Sequence, residues 1–303
     1  MPITGRLRTR SGFTLVELLI TLTMLGIVGS MITQLMMKLQ RFFQRLSDQI
    51  TVRRELRTAL GTLPSELRAV SSAGGDIAAF SATGITFRAT LGASFVCEKA
   101  SPTELLLPPV NSARTITTNW VTPPTAGDTV FALRHDSAGV SGDYWSAHRI
   151  TAITQSAGLC VTSPYLDPVL DAGKLRYRLA VTPAVPDSVV RGAALRFTRA
   201  ARYALAPATS GRWYLQRQEV QGGQWTTPVS ISGPYMAPGS NGLGGLVLSY
   251  RDSLDVAIAA GEMSSRIARI DIVLRAQGMA PATPGNPSVV DSVLLSVAVR
   301  NRR

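Results

Sequence analysis

The chain has 303 residues, 45% hydrophobic and 17% charged, a balance that excludes a disordered chain and suits one domain carrying a long helix. Its net charge is +12, yet only Lys38, Lys99 and Lys174 of the 31 basic residues are lysine. That skew reflects base composition as readily as a polyanionic partner. The slightly positive mean hydropathy, +0.16, points to a membrane segment.

Residues 1–12 form a short basic leader, with Arg6, Arg8 and Arg10, and removing it leaves a net charge of +9. From Leu18 to Met37 no side chain is charged. As a helix this run spans about 30 Å, the thickness of a bilayer core, so 13–37 is predicted to be a transmembrane helix half. Basic residues ahead of it predict a cytoplasmic N-terminus and an exported C-terminal body. A secretory signal ends in a small-residue cleavage site after the apolar run. Here Lys38 to Arg45 is basic and aromatic, and the small residue, Gly12, comes before the run. Cleavage at Gly12 keeps the apolar helix on the mature protein.

Glu17 falls in the first turn of that helix. A carboxylate at mid-bilayer costs about 3 kcal/mol, less near the interface, and a helix N-terminus favours negative charge. Two readings stand: a tolerated interfacial carboxylate that reaches back to the amine of its own Phe13, or a charge that needs a partner during assembly.

Gly12-Phe13-Thr14-Leu15-Val16-Glu17 after a basic leader resembles the prepilin leader of type IV pilins and type II secretion pseudopilins. The match covers about the first 38 residues, and its alternative is a coincidental signal anchor. The resemblance implies that a prepilin peptidase cuts between Gly12 and Phe13 and methylates the new Phe13 amine. It also implies that Glu17 pairs with the N-terminal amine of a neighbouring subunit. The implied partners are other pilins or pseudopilins and an inner-membrane assembly platform.

Apolar residues continue at Leu39, Phe42, Phe43, Leu46, Ile50, Leu56, Leu60, Leu63, Leu67 and Val70, spacings that predict an amphipathic helix half over 38–70. The opposite face is read as Arg41, Arg45, Asp48, Arg54, Glu55 and Arg68. The apolar face is expected to pack on the body or on neighbouring subunits; a coiled-coil dimer has the same spacing. Seven basic against three acidic residues over 38–70 read as a solvated face near anionic lipid headgroups. Gly61 and Pro64 are expected to bend or restart the helix, and Ser71 to Gly75 to end it. Gly26 and Gly29 suit close helix packing or local melting, although small residues are common in membrane helices in any case.

The exported body, 76–303, reads as short strands between Gly, Pro, Ser and Asp clusters. The predicted strands are Gly84–Leu91, Thr103–Leu107, Asp128–Arg134, His148–Thr154, Leu175–Thr182, Leu195–Leu205, Arg212–Val220, Leu243–Arg251, Ile267–Arg275 and Ser288–Arg300. A loop is expected over 277–287. Alternation such as Leu175-Arg176-Tyr177-Arg178-Leu179 argues for antiparallel strands with one wet face. The predicted fold class is therefore α+β, a long N-terminal helix packed on an antiparallel β-rich body, the pilin lollipop that the resemblance also implies.

Arg202 to Leu205, Trp213 to Arg217, Leu246 to Asp252 and Ser296 to Arg302 are similar to the strand series of W-type minor pilins and J-type minor pseudopilins. Residues 95–168 match no family pattern and are expected to be a decoration on the body. Cys97 and Cys160 lie within an exported domain, where two thiols usually pair; two buried free thiols are the alternative.

No catalytic constellation stands out. His135 and His148 are the only histidines. Asp136 and Asp143 flank a Gly/Ser segment that suits a Ca²⁺ loop, though a solvated turn explains the same residues. Trp120, Trp145, Trp213 and Trp225 read mainly as packing groups, with Trp213 beside Arg212 and Arg217 a candidate for base stacking; nucleic acid is otherwise not indicated. The sequence implies no cofactor and no metal, and a structural rather than enzymatic protein. The expected function is a minor pilin or pseudopilin that initiates or caps a filament, sited in the inner membrane and then in a periplasmic or surface filament. The alternatives are an adhesion or cargo-binding module displayed on the filament, and a signal-anchored periplasmic enzyme.

Overall fold

The computed structural model describes residues 12, 14–110, 112–113, 118–134, 144–160, 162–239, 243–280 and 288–300. Its helix, α1, runs unbroken over Leu15–Arg68, 54 residues and about 80 Å. It passes through Gly61 and Pro64 without restarting. Leu63 and Leu67 on the flanking turns are fully buried, and that tertiary packing holds the helix together where propensity alone would break it. Ala69 caps the last turn by donating to the Glu66 and Leu67 carbonyls. The predicted Ser71–Gly75 breaker forms the turn that follows, with Gly75 at φ +73°, a conformation glycine adopts freely.

The body opens with β1 (Ile77–Ser81), β2 (Gly84–Phe95), β3 (Glu98–Ser101), β4 (Glu104–Leu107), β5 (Asn119–Trp120), β6 (Thr129–Arg134), β7 (Tyr144–Ser156) and β8 (Arg176–Thr182). It continues with β9 (Ala194–Pro207), β10 (Trp213–Gln221), β11 (Gln224–Trp225), β12 (Val229–Tyr235), β13 (Leu246–Arg251), β14 (Ala257–Ile258), β15 (Arg269–Gln277) and β16 (Val290–Ala298). All ten predicted strands are present with shifted ends. Residues 281–287 of the expected loop, and Asn301 and Arg302 of the expected closing strand, lie outside the described residues.

The strands pair antiparallel in the order β14-β13-β15-β12-β10-β9-β6-β7-β8-β4-β3, with β2 on β9 and β16 on β15. β9 is the spine. β2 pairs along it from Ala194 to Ala204, while its other edge carries β6 at Leu195–Ala132 through Thr198–Thr129 and β10 from Ala201 to Pro207. Two hydrophobic cores share this spine. The first packs Val52, Leu56, Leu63 and Leu67 of α1 on Ala201, Tyr203, Leu215, Ile270, Ile272 and Leu274. The second gathers Leu91, Leu105, Leu107, Val130, Ile150, Leu179, Leu195 and Phe197.

A chain of alternating charges lies beside the spine. On β9 Arg199 occupies the phase of Phe197 and Ala201, between the two cores, and is buried. Its Nε and Nη2 donate to Asp128 Oδ1 and Oδ2 at 2.8 and 2.7 Å, and its Nη1 lies 3.3 Å from Glu219 Oε2. Glu219 in turn bonds Arg217, whose Nε sits 3.1 Å from Glu66 Oε1 on α1. Burial pushes the Glu219 carboxyl up, but the two guanidiniums outweigh it and hold the group below its ordinary range.

The helix face departs from the predicted one. The residues that meet the body are Asp48, Val52, Leu56, Ala59, Leu63, Pro64 and Leu67, and Val70 follows just past the helix end. Leu39, Phe42, Phe43, Leu46 and Ile50 are exposed; by helical phase they lie roughly 125° round from the body-facing stripe. The 38–70 pattern is therefore two apolar stripes, and only the second is packed. Asp48, assigned from sequence to the polar face, is buried, and accepts hydrogen bonds from the amides of Met279 (3.2 Å) and Ala280 (3.0 Å). Asp48→Ala should remove a charged acceptor from the Met279 and Ala280 amides and cost about 1.5–3 kcal/mol, the range for hydrogen bonds to charged groups, read as a lower unfolding midpoint with faster exchange at Met279 and Ala280.

Candidate functional site at the start of the helix

The helix begins with an N-cap written in the sequence. Thr14 has extended backbone (φ −79°, ψ 149°), and its Oγ1 accepts from the Glu17 amide at 3.3 Å. Thr14-Leu15-Val16-Glu17 has the spacing of a capping box, a signal present in the sequence but not used there. Gly12 is exposed and lies upstream of the cap, so its peptide link to residue 13 precedes the helix. Phe13 lies outside the described residues. Glu17 sits exposed in the first turn, at the positive end of the helix dipole.

From this cap the helix presents apolar side chains on every side, and its most apolar window has a mean hydropathy of 2.1 with none of it buried. Thr21, Thr23, Ser30 and Thr33 donate their hydroxyls to carbonyls three or four residues back, at 2.8–2.9 Å. Every hydroxyl in that stretch is thus satisfied within the helix, as lipid surroundings demand. A capped, unpacked helix start, uncharged from Leu18 to Met37, fits a membrane anchor by length and composition.

Residues 7–33 match the family described as the prokaryotic N-terminal methylation motif. This is a prepilin-type protein. No curated protein and no solved structure matches the chain. The prepilin carries the motif on the cap and the anchor just described, and its architecture of one long helix and a β-rich body is that of a type IV pilin- or pseudopilin-like precursor.

The remaining sequence candidates fall elsewhere in the prepilin. Cys97 and Cys160 are joined in a disulfide, with Cα atoms 5.9 Å apart, in a small cluster with Leu106 and Leu166. His148 is a buried packing residue, its ring nitrogens each 2.8 Å from the Pro183 carbonyl and Ser146 Oγ. His135, Asp136 and Asp143 lie outside the described residues. Trp120 packs with Tyr177 and Phe197 at the second core. Trp213 is partly buried against the first core, Arg217 is engaged by Glu66 and Glu219, and Arg212 by the Met279 carbonyl, contacts that account for all three without a nucleic acid.

Sequence reasoning did not find the chain from Asp128 to Glu66. Its one legible sign is Arg199, a charge at an apolar phase of β9. Nor did it find Asp171, fully buried, whose carboxylate accepts from the amides of Asp167 and Ala113 and from Ser112 Oγ, and faces Lys174 Nζ at 2.9 Å. Burial raises that carboxyl, but these bonds win and hold it well below the usual range.

Proposed function

We propose that the protein is a minor subunit that initiates or caps a type IV pilus-like filament or secretion pseudopilus. Prepilin peptidase cuts between Gly12 and Phe13, the Phe13 amine is methylated, and the assembly platform lifts the subunit into the filament. The body is held on the exported side of the inner membrane until then. Glu17 then pairs with the N-terminal amine of an adjacent pilin, which removes the cost of an unpaired carboxylate among apolar helices.

The observation that supports this reading is the division of α1. Its side chains are all exposed from Leu15 to Ser47, while body packing begins at Asp48. A long apolar stem with a capped, charged first turn, on a large strand-rich body, suits an assembling subunit.

Mass spectrometry of the mature chain is expected to show an N-methylated Phe13 start; an intact Met1 start would defeat the proposal and favour a signal-anchored protein. Glu17→Ala should leave membrane insertion intact and reduce recovery in sheared filaments by an order of magnitude. Recovery equal to wild type would remove the charge-pairing role. A second reading, an adhesive or cargo-binding surface within residues 95–168, is favoured by Tyr144 and Trp145, exposed in sequence on β7.

A further inference from the structure

Between the apolar anchor, which ends at Met37, and the first buried residue of α1, Asp48, ten residues of the helix are all exposed. They rise about 15 Å. The polar zone on each side of a bilayer core is about 5–8 Å deep, so this segment starts within the headgroup layer that the anchor exits and ends just above it. Its charges are Lys38, Arg41 and Arg45, with no acid from Leu18 to Ser47. All three are exposed, and among the described residues none has an ion-pair partner.

Their spacing, i, i+3 and i+7, puts them within about 60° of one another around the helix. The same arc, followed along α1, is that of Asp48, Val52 and Leu56. The cations therefore line the side of the helix that the body overhangs. Asp48, the nearest acid, forms no ion pair with them; its two oxygens accept from the Met279 and Ala280 amides. The other side of the same segment carries Leu39, Phe42, Phe43 and Leu46, with the two phenyl rings edge to face at 5.9 Å.

We propose that Lys38, Arg41 and Arg45 form a binding belt for anionic phospholipid headgroups, seated in the gap between the body and the membrane surface. The proposal rests on the membrane-anchored reading of α1. Charge complementarity fixes the occupant: three cations without an ion-pair partner among the described residues share one arc, Lys38 and Arg41 at headgroup depth and Arg45 about 12 Å past Met37. Long basic side chains, tilted back toward the helix N-terminus, reach the phosphodiester anions of the interface. The arrangement gives the subunit a seat at the membrane before extraction, one that assembly must break.

The test reconstitutes the full chain into vesicles of equal phosphatidylglycerol and phosphatidylethanolamine, extracts it in mild detergent and quantifies the retained lipid by mass spectrometry. Wild type should retain phosphatidylglycerol several-fold above its share, and lose that enrichment near 1 M salt, where the screening length is about 3 Å. The triple variant Lys38→Gln, Arg41→Gln, Arg45→Gln should insert equally well and retain the two lipids in their bulk ratio. Equal enrichment in wild type and triple variant, or none in wild type, overturns the belt. Loss of enrichment together with loss of a chemically cross-linked dimer in the triple variant assigns the cations to a neighbouring protein and also overturns it. Resistance of both chains to alkaline extraction is scored separately, so failure of the anchor reading is distinguishable from failure of the belt. The melting temperature of the body should be the same in both chains, since the three residues are all exposed.

Discussion

Arg199→Met is expected to destabilise the body by about 3–5 kcal/mol, the cost of leaving a buried carboxylate without its counter-charge. Asp128 is almost wholly buried, and its carboxylate accepts from four donors, the Nε and Nη2 of Arg199 and the amide and hydroxyl of Thr125. The Thr125 amide donates to its Oδ2 at 2.7 Å, and the Arg199 Nη2 also reaches the Thr125 hydroxyl and the Pro123 carbonyl. Removing the guanidinium strands the carboxylate and loosens the 123–128 segment that leads into β6. The same change removes one of the two cations on Glu219 and leaves Arg217 alone to balance it. The double change Arg199→Met with Asp128→Leu should recover much of the loss, because replacing both charges by apolar groups of similar size is often neutral. Urea unfolding of the detergent-solubilised chain would read both. A loss below about 1 kcal/mol for the single change would mean that Asp128 is hydrated or protonated without Arg199 at little cost.

That charge chain links the two hydrophobic cores. β2 and β9 run through both, but the inner face of β9 changes from Leu195 and Phe197 to Ala201, Tyr203 and Leu205 across a charged residue. Asp128 comes from the loop before β6, Arg199 from β9, Glu219 and Arg217 from β10, and Glu66 from the last turns of α1. One line of ions thus ties the distal core to the helix that anchors the molecule. Asp48 and Glu55 add further ties, since Glu55 Oε2 accepts from the Gly233 amide at 3.2 Å. Three carboxylates on the helix therefore hold β10, β12 and the segment just after β15.

How much of this the sequence reveals depends on whether the cause is local. The prepilin segment is legible because its glycine, its glutamate and its uncharged run are consecutive, and each acts through neighbours on one helix. The alternating strands are legible for the same reason: in β15, Ile270, Ile272, Leu274 and Ala276 all point inward. β12 is not legible, because Val229–Tyr235 contains Gly233 and Pro234 and owes its strand conformation to pairing with β10. β1 escapes too, since Ile77-Ala78-Ala79-Phe80-Ser81 has no alternation and is shaped by its hairpin with β2. The helix misreading has a different origin. Spacings of three and four continue from Leu39 to Ile50 and again from Leu56 to Val70, but the six-residue step between them changes face. A count of spacings does not register that step, whereas helical phase does. The ion chain is illegible because Asp128 and Arg199 are 71 residues apart and only the sheet brings them together.

Reducing the Cys97–Cys160 disulfide is expected to cost about 4 kcal/mol if loop closure in the unfolded chain is the whole effect, given a separation of 63 residues. The loss should be uneven. Cys97 is fixed by β-structure, its amide bonded to the Leu106 carbonyl at 2.9 Å. Cys160 lies in irregular chain between β7 and β8, where Arg176 donates to the Ala157, Leu159 and Asp171 carbonyls and Asp171 gathers Asp167 and Ala113. These bonds hold the 157–176 segment from within, and the disulfide attaches it to the strands. Cys97→Ala with Cys160→Ala should therefore speed amide exchange across 157–175 far more than along α1, while lowering the global unfolding midpoint. If the midpoint fell and exchange rose uniformly, the bond would act only on the unfolded chain. An unchanged midpoint in reductant would show that the packing of Leu106 and Leu166 around the two sulfurs suffices without the covalent link.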